Sequence, residues 1–237
     1  GVLALREVER TYRHKFGYSL GYTRTDFQRN DTNDEDQADT IQLGLHNKYS
    51  VNGWNIKNDL LGRVSFHDVD RSINWSGGTT SELNSNYNVY GVSSLNELGK
   101  DMEISRNAKV TPYVGLELGY MMHPSFEEKG GAESLKMDSN DAYSVKPNIG
   151  VRLDGEKDFG ATSSWKVKGN IGLGYEYELG NMNDQEKASL SLIEDGYHNL
   201  AKPAEDKGKI KTSGYAGVEL KGAYGVYVTG EYGLGND

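Results

Sequence analysis

Residues 109–122 read KVTPYVGLELGYMM, and apolar side chains occupy every second position of this stretch. The even-numbered residues are Val110, Pro112, Val114, Leu116, Leu118, Tyr120 and Met122. The odd-numbered residues are mostly small or polar: Lys109, Thr111, Tyr113, Gly115, Glu117, Gly119 and Met121. Because successive side chains of a β-strand point to opposite faces, the pattern predicts a strand with one apolar and one polar environment.

The same alternation recurs along the chain. It is found in residues 15–23, 143–154 and 165–177, and in shorter form in residues 41–45, 216–220 and 226–234. The long stretches reach the roughly 9–11 residues that a tilted strand needs to cross a bilayer. Their polar faces are rich in glycine, which leaves room for a lumen and permits curvature. The sequence therefore predicts an all-β fold, an antiparallel up-and-down transmembrane β-barrel with about ten strands in one unit spanning residues 1–237.

The predicted connections alternate between short and long. Short breaks follow Arg13, Ser50, Glu156 and Lys221, and Asn52-Gly53 carries a hairpin signal. Long polar connections are expected at residues 29–39, 73–86, 124–141 and 181–209, and an intermediate one at residues 99–108. Residues 2–12 fit either a strand or a helix, and residues 86–98 have no clean register. Short turns on one rim and long loops on the other are typical of outer-membrane barrels.

The amino-acid composition and net charge of the chain exclude several kinds of functional site and partner. The chain has 30 glycines and 16 tyrosines among 237 residues, and tyrosine suits a membrane–water interface. A mean hydropathy of −0.71 would by itself indicate a soluble protein, but a barrel alternates apolar and polar residues. The absence of cysteine excludes disulfides and thiolate sites. The net charge of −9 argues against a nucleic-acid partner.

No motif in the sequence predicts a catalytic site, a metal site or a cofactor. Gly17-Tyr18-Ser19-Leu20-Gly21 matches the G-x-S-x-G string, but a nucleophile elbow needs a strand-to-helix turn and Ser19 lies within an alternating strand. The five histidines are dispersed, and the acidic segment of residues 31–39 lacks the glycine of an EF-hand loop. Carboxylates and cations share the polar faces, which favours a hydrated lumen over paired-carboxylate catalysis. We expect that the chain is not an enzyme.

Several segments resemble the C-terminal translocator barrels of autotransporters (type V secretion). The similarity is carried by residues 109–120, by the Phe126-Glu-Glu-Lys-Gly-Gly131 loop and by Ile149-Gly-Val-Arg-Leu153. It continues in residues 165–179 (WKVKGNIGLGYEYEL) and in Gly214-Tyr-Ala-Gly-Val-Glu-Leu220. The resemblance implies a twelve-stranded barrel, a helix that threads the pore and a passenger upstream in the same polypeptide. The first and last strands of such a barrel, the terminal aromatic residue and any self-cleaving linker asparagine would then lie outside this chain.

The function implied by the resemblance is to anchor a passenger in the bacterial outer membrane and to help to translocate it. The implied partners are outer-membrane lipid, the chain's own passenger domain and the outer-membrane insertion machinery. The residues that we expect to line the pore are Lys15, Lys109, Glu117, Arg152, Lys166, Glu176, Glu219 and Glu231. A passive porin or surface adhesin barrel and a soluble β-barrel carrier remain the alternatives.

Overall fold

The computed structural model describes residues 1–29, 34–159, 164–181, 187–190, 198–199, 207–220 and 225–236. It contains β1 (Val2–Thr11), β2 (His14–Arg29), β3 (Asp34–Val51), β4 (Trp54–Asn74), β5 (Thr80–Lys100), β6 (Met102–Ser105), β7 (Ala108–His123), β8 (Phe126–Glu127), β9 (Leu135–Met137), β10 (Asn140–Phe159), β11 (Trp165–Tyr177), β12 (Lys187–Leu190), β13 (His198–Asn199), β14 (Gly208–Leu220) and β15 (Gly225–Asn236). No helix occurs in these ranges, and none of their segments is a helix that could cross a membrane.

Ten long strands form one antiparallel meander in the order β1-β2-β3-β4-β5-β7-β10-β11-β14-β15. Every neighbouring pair is antiparallel, and the short β6 forms a hairpin with β7. A second, small sheet joins β13, β12, β9 and β8. The ten strands and the up-and-down order confirm the fold class that the alternating pattern predicts.

The pairing register separates the side chains of the sheet into two unlike faces. One face, called here the outer face, carries the exposed apolar residues of the alternating strands, for example Val114, Ile149 and Ile171. Tyrosines and tryptophans lie on it near both rims, including Trp54 and Trp165 near the short turns. The opposite face, called here the inner face, carries the charged residues and most of the glycines. Apolar side chains that remain exposed on a regular sheet suit contact with lipid.

Both uncertain stretches are strands. Residues 2–11 form β1, so the helical alternative is wrong for them. Residues 86–98 lie within β5 and pair with β4 without a bulge. Their pattern is irregular because Tyr87, Val89 and Leu95 lie on the inner face, opposite the apolar residues of the outer face. Phe126 of the β7–β10 connection stacks on Tyr87, and nearby Leu83 has only 1% of its surface exposed.

Two of the long connections expected from the sequence are wrong in extent. Residues 34–39 belong to β3 and pair with β2, which leaves only residues 30–33 outside the described strands of that hairpin. In residues 73–86 the connection is only the short turn of residues 75–79, because β4 ends at Asn74 and β5 begins at Thr80. The prediction is wrong because residues 34–39 and 80–86 are mostly polar and therefore resemble loops. A strand that extends beyond the membrane can be polar on both faces. The Asn52-Gly53 hairpin is confirmed, with φ of 50° and 78° at the two residues.

Candidate functional site

The inner face is concave and crosses most of the sheet. A cavity of about 300 Å³ is lined by residues of six different strands, from Lys48 on β3 to Tyr215 on β14. Lys57, Lys109 and Arg152 line the same cavity. Side chains of strands that are not neighbours can share one cavity only where the sheet curls toward that face. The polar residues therefore surround a common space.

The structure places the expected pore residues on this face. The register pairs Lys146 with Glu117, Arg152 with Gly172 and Lys166 with Glu219, which aligns their side chains on one side. Seven of the eight have described side chains on the inner face: Lys15, Lys109, Glu117, Arg152, Lys166, Glu176 and Glu219. The backbone of Glu231 pairs with that of Ser213, and its side chain lies outside the described part of the chain. That these residues line a pore stays a prediction.

Glu97 of β5, with 11% of its side chain exposed, is the centre of a charge cluster on the inner face. It accepts two hydrogen bonds from the Arg152 guanidinium, which reaches across β7, and its carboxylate lies 3.1 Å from the Lys57 ammonium. The Tyr113 ring lies beneath Arg152, with the guanidinium carbon 4.3 Å from the ring centroid. Sequence analysis missed Glu97, because apolar residues on both faces of β5 leave the face of Glu97 unassigned. It also missed Lys57 of β4. Two cations and one carboxylate thus meet at this point of the inner face.

Most other charges of the inner face are also paired. Lys109 lies 2.8 Å from Asp101, Lys211 lies 2.6 Å from Glu176, and Lys168 contacts Glu219. Part-exposed pairs of this kind contribute about 0–1 kcal/mol each, so they are a poor source of stability. Their effect is to give a polar surface on which the two signs of charge are mixed.

Two carboxyl groups just beyond the long strands have shifted pKa values. Burial alone would raise the pKa of Asp101, but hydrogen bonds from Lys109, Thr111 and Asn55 outweigh it and hold that pKa below its usual value. Burial likewise opposes the shift of Glu178, whose pKa is lowered by hydrogen bonds from Ser144 and from backbone N–H groups and by the charge of Lys146. Both carboxylates therefore stabilise their surroundings in the ionised form.

The β7–β10 connection covers part of the inner face. Phe126 stacks on Tyr87 with ring centroids 4.1 Å apart, and Tyr87 stacks on His67 at 4.8 Å. The Arg71 guanidinium donates two hydrogen bonds to the buried carboxylate of Glu128, at 3.0 and 2.6 Å. The connection is thereby attached to β4 and β5 by a stack of rings and one buried ion pair.

A second cluster joins three neighbouring strands. Ser19 Oγ of β2 lies 2.8 Å from His46 Nε2 of β3, and His46 Nδ1 lies 2.8 Å from Asp59 Oδ1 of β4. An ionised carboxylate only accepts hydrogen bonds, so Nδ1 carries a proton, and in the neutral ring Nε2 accepts the Ser19 hydroxyl proton. Sequence analysis found Ser19 but not its partners, because only the lateral register brings His46 and Asp59 beside it. The elbow turn that the motif would require is absent, since β2 runs unbroken through Ser19.

The described residues place no three His, Asp or Glu side chains together in a way that could hold a metal ion. The expectation that the chain uses no cofactor or metal stays a prediction.

Comparison with known proteins agrees with this geometry. The chain is 23% identical over 202 residues to an extracellular serine protease of Serratia marcescens; the match covers 84% of the chain but only 19% of that protein. Two solved structures share the fold. The translocator domain of the autotransporter NalP from Neisseria meningitidis has 14% identity and a TM-score of 0.58, over 98% of this chain and 78% of that one. The β-domain of the Bordetella autotransporter BrkA has 15% identity and a TM-score of 0.63, over 98% and 81%. The sequence model of the autotransporter β-domain matches residues 1–233, and the chain belongs to that family.

Proposed function

We propose that this chain is the outer-membrane translocator of an autotransporter, which anchors an N-terminal passenger and supports its export and display at the cell surface. The observation that carries the proposal is that one sheet has an apolar outer face and a polar inner face. The outer face is apolar and exposed along strands of membrane-spanning length. The inner face is concave, polar and lined by paired charges of both signs. Membership of the autotransporter β-domain family supports the same function.

The mechanism in this proposal is steric and conformational. In the bilayer every backbone polar group must find a partner, and the antiparallel ladder supplies these partners between neighbouring strands. The short turns would face the periplasm and the longer connections the cell exterior. Outer-membrane lipid would contact the outer face, and the insertion machinery would place the chain in the membrane. Export in this form breaks no covalent bond, and the expectation that the chain is not an enzyme stays a prediction.

The proposal also includes a partner, a passenger domain in the same polypeptide. The Serratia protein, of which this chain matches about a fifth of the length, is named an extracellular serine protease. A protein in which a β-domain accounts for so small a share has room for a large passenger in the same polypeptide. We infer that a passenger of several hundred residues precedes Gly1 in the native precursor. A signal peptide directly before Gly1 would favour the porin or adhesin alternative instead.

Neighbouring residues of β7 provide a matched test. Tyr113 lies on the inner face beside Arg152, and Val114 lies on the outer face with 51% of its surface exposed. A photo-crosslinking amino acid is placed at either position of the full-length protein during export in living cells. Position 113 should capture the passenger polypeptide, and position 114 should capture lipid or the insertion machinery. Passenger that reaches the surface without any adduct at position 113, or with equal adducts at both positions, would contradict the proposal.

A further inference from the structure

The cluster of Ser19, His46 and Asp59 has the connectivity of a nucleophilic triad. A base lies within hydrogen-bond reach of the serine hydroxyl, and a carboxylate orients the base through its other nitrogen. Such triads occur on unrelated folds, and their geometry and roles identify them, not their position in a sequence. We propose, against the expectation from the sequence that the chain is not an enzyme, that Ser19 is a nucleophile activated by His46 and that it accepts acyl groups from small esters that enter the lumen.

A glycine makes the arrangement possible. Ser19 is paired with Gly44, and a Cβ at residue 44 would lie 2.3 Å from Ser19 Oγ and 2.9 Å from His46 Nε2. The Ser19 side chain therefore reaches the imidazole over Gly44. Gly17 is paired with His46, and a Cβ there would make only an ordinary van der Waals contact with the His46 Cβ, at 3.6 Å. Gly44 is thus the glycine that the arrangement requires.

A cavity next to the cluster supplies space and positive charge. It has a volume of about 240 Å³, and its lining includes Gly17, His46 and Asp59. Lys15 and Lys48 line the same cavity. Backbone N–H groups in central strands are engaged in the ladders, so they cannot form an oxyanion hole here. The Lys15 ammonium is engaged by Glu7 and Glu9, at 3.2 and 2.8 Å. The Lys48 ammonium is therefore the donor that we assign to a developing oxyanion, and its charge favours esters that carry an acidic group nearby.

The reaction balances without a cofactor. Ser19 Oγ attacks the ester carbonyl carbon, and His46 Nε2 takes the hydroxyl proton. The bond from carbon to the alcohol oxygen breaks, and the alcohol leaves with the proton from His46. Water then releases the acid from Ser19 by the same route, with His46 as the base. Asp59 is a positioning residue that fixes the imidazole tautomer.

The burial of Ser19 limits which reagents can test the proposal. Ser19 keeps 6% of its surface exposed, so a reagent must be small and must enter through the lumen. A fluorophosphonate meets this condition: Ser19 Oγ would form a bond to phosphorus, the phosphorus–fluorine bond would break, and fluoride would leave. The adduct is read by mass spectrometry on residues 16–24, which trypsin releases between Lys15 and Arg24. The peptide readout separates Ser19 from any reactive serine of an attached passenger.

The experiment uses the full-length protein in isolated outer membranes. The wild type should form the adduct at Ser19. Ser19→Ala should lose the adduct, His46→Gln should slow labelling, and Asp59→Asn should slow it by up to about 10⁴-fold. Ser144→Ala is the matched control and should label like the wild type, since Ser144 is equally buried but donates to the Glu178 carboxylate. Retention of heat-modifiable migration on gels shows that each variant is folded.

Two results would overturn the inference. One is the absence of an adduct on residues 16–24 in the folded wild type, which would make the cluster a polar packing network. The other is an adduct whose rate is unchanged in His46→Gln. Neither result bears on the translocator function, which the photo-crosslinking experiment tests separately.

Discussion

Replacement of Ile171 by arginine tests directly whether the outer face contacts lipid. Ile171 is the central residue of β11 and has 69% of its surface exposed. The strand has 13 residues and a length of about 40 Å, which at a tilt of 45° spans about 28 Å, close to the hydrocarbon thickness of a bilayer. Ile171 would therefore lie near the bilayer midplane.

Arginine on the lipid face near the midplane costs about 2–4 kcal/mol, which lowers the folding equilibrium constant by a factor of about 30 to 900. An exposed position of a soluble protein would change by no more than about 0.5 kcal/mol. The measurement is the urea dependence of folding into phospholipid vesicles, followed by the fluorescence of the outer-face tryptophans Trp54 and Trp165.

Asn170→Arg is the matched control. Asn170 is the preceding residue of β11 and lies on the inner face, where its amide donates to Asp154 at 2.8 Å. Arginine there keeps an acidic neighbour and water, so its folding free energy should change by less than about 1 kcal/mol. Equal losses for the two variants, or no loss for Ile171→Arg, would refute the assignment of the outer face to lipid.

Three further predictions concern packing and charge. Gly44→Ala should cost about 1–3 kcal/mol, since its Cβ would overlap Ser19 and His46; a lower temperature for loss of heat-modifiable migration would show this. Arg71→Ala should leave the buried Glu128 carboxylate unpaired at a cost of about 3 kcal/mol, so proteolysis of the β7–β10 connection should be roughly 100-fold faster; unchanged cleavage would contradict the attachment. The lowered pKa of Asp101 means that its stabilisation is complete above the unfolded carboxyl pKa of about 4 and is lost as pH falls through the folded value; the stability difference between wild type and Asp101→Asn should shrink below that pH in urea titrations.

Much of the fold could be predicted because the alternation of side chains is a local property of the backbone. In Lys109 to Met122 each residue is assigned to a face by its parity alone, and the structure has the same assignment. The prediction was weakest in β5, where Leu83 and Tyr87 are apolar on the inner face. These residues are apolar because the β7–β10 connection covers them, and this connection lies about 40 residues away along the chain.

The sequence by itself determined that the chain forms long two-faced strands and which side chains share a face, since these depend only on the period of two. The tertiary structure alone decided which side chains of that face meet. The lateral register places Asp59 directly opposite His46 and Ser19 diagonally across from it, so that His46 lies between the two. Arg152 reaches Glu97 across an intervening strand, from a position four residues away along that strand. Register is set by the turns and by the pairing of whole strands, so the alternation within one strand does not specify it.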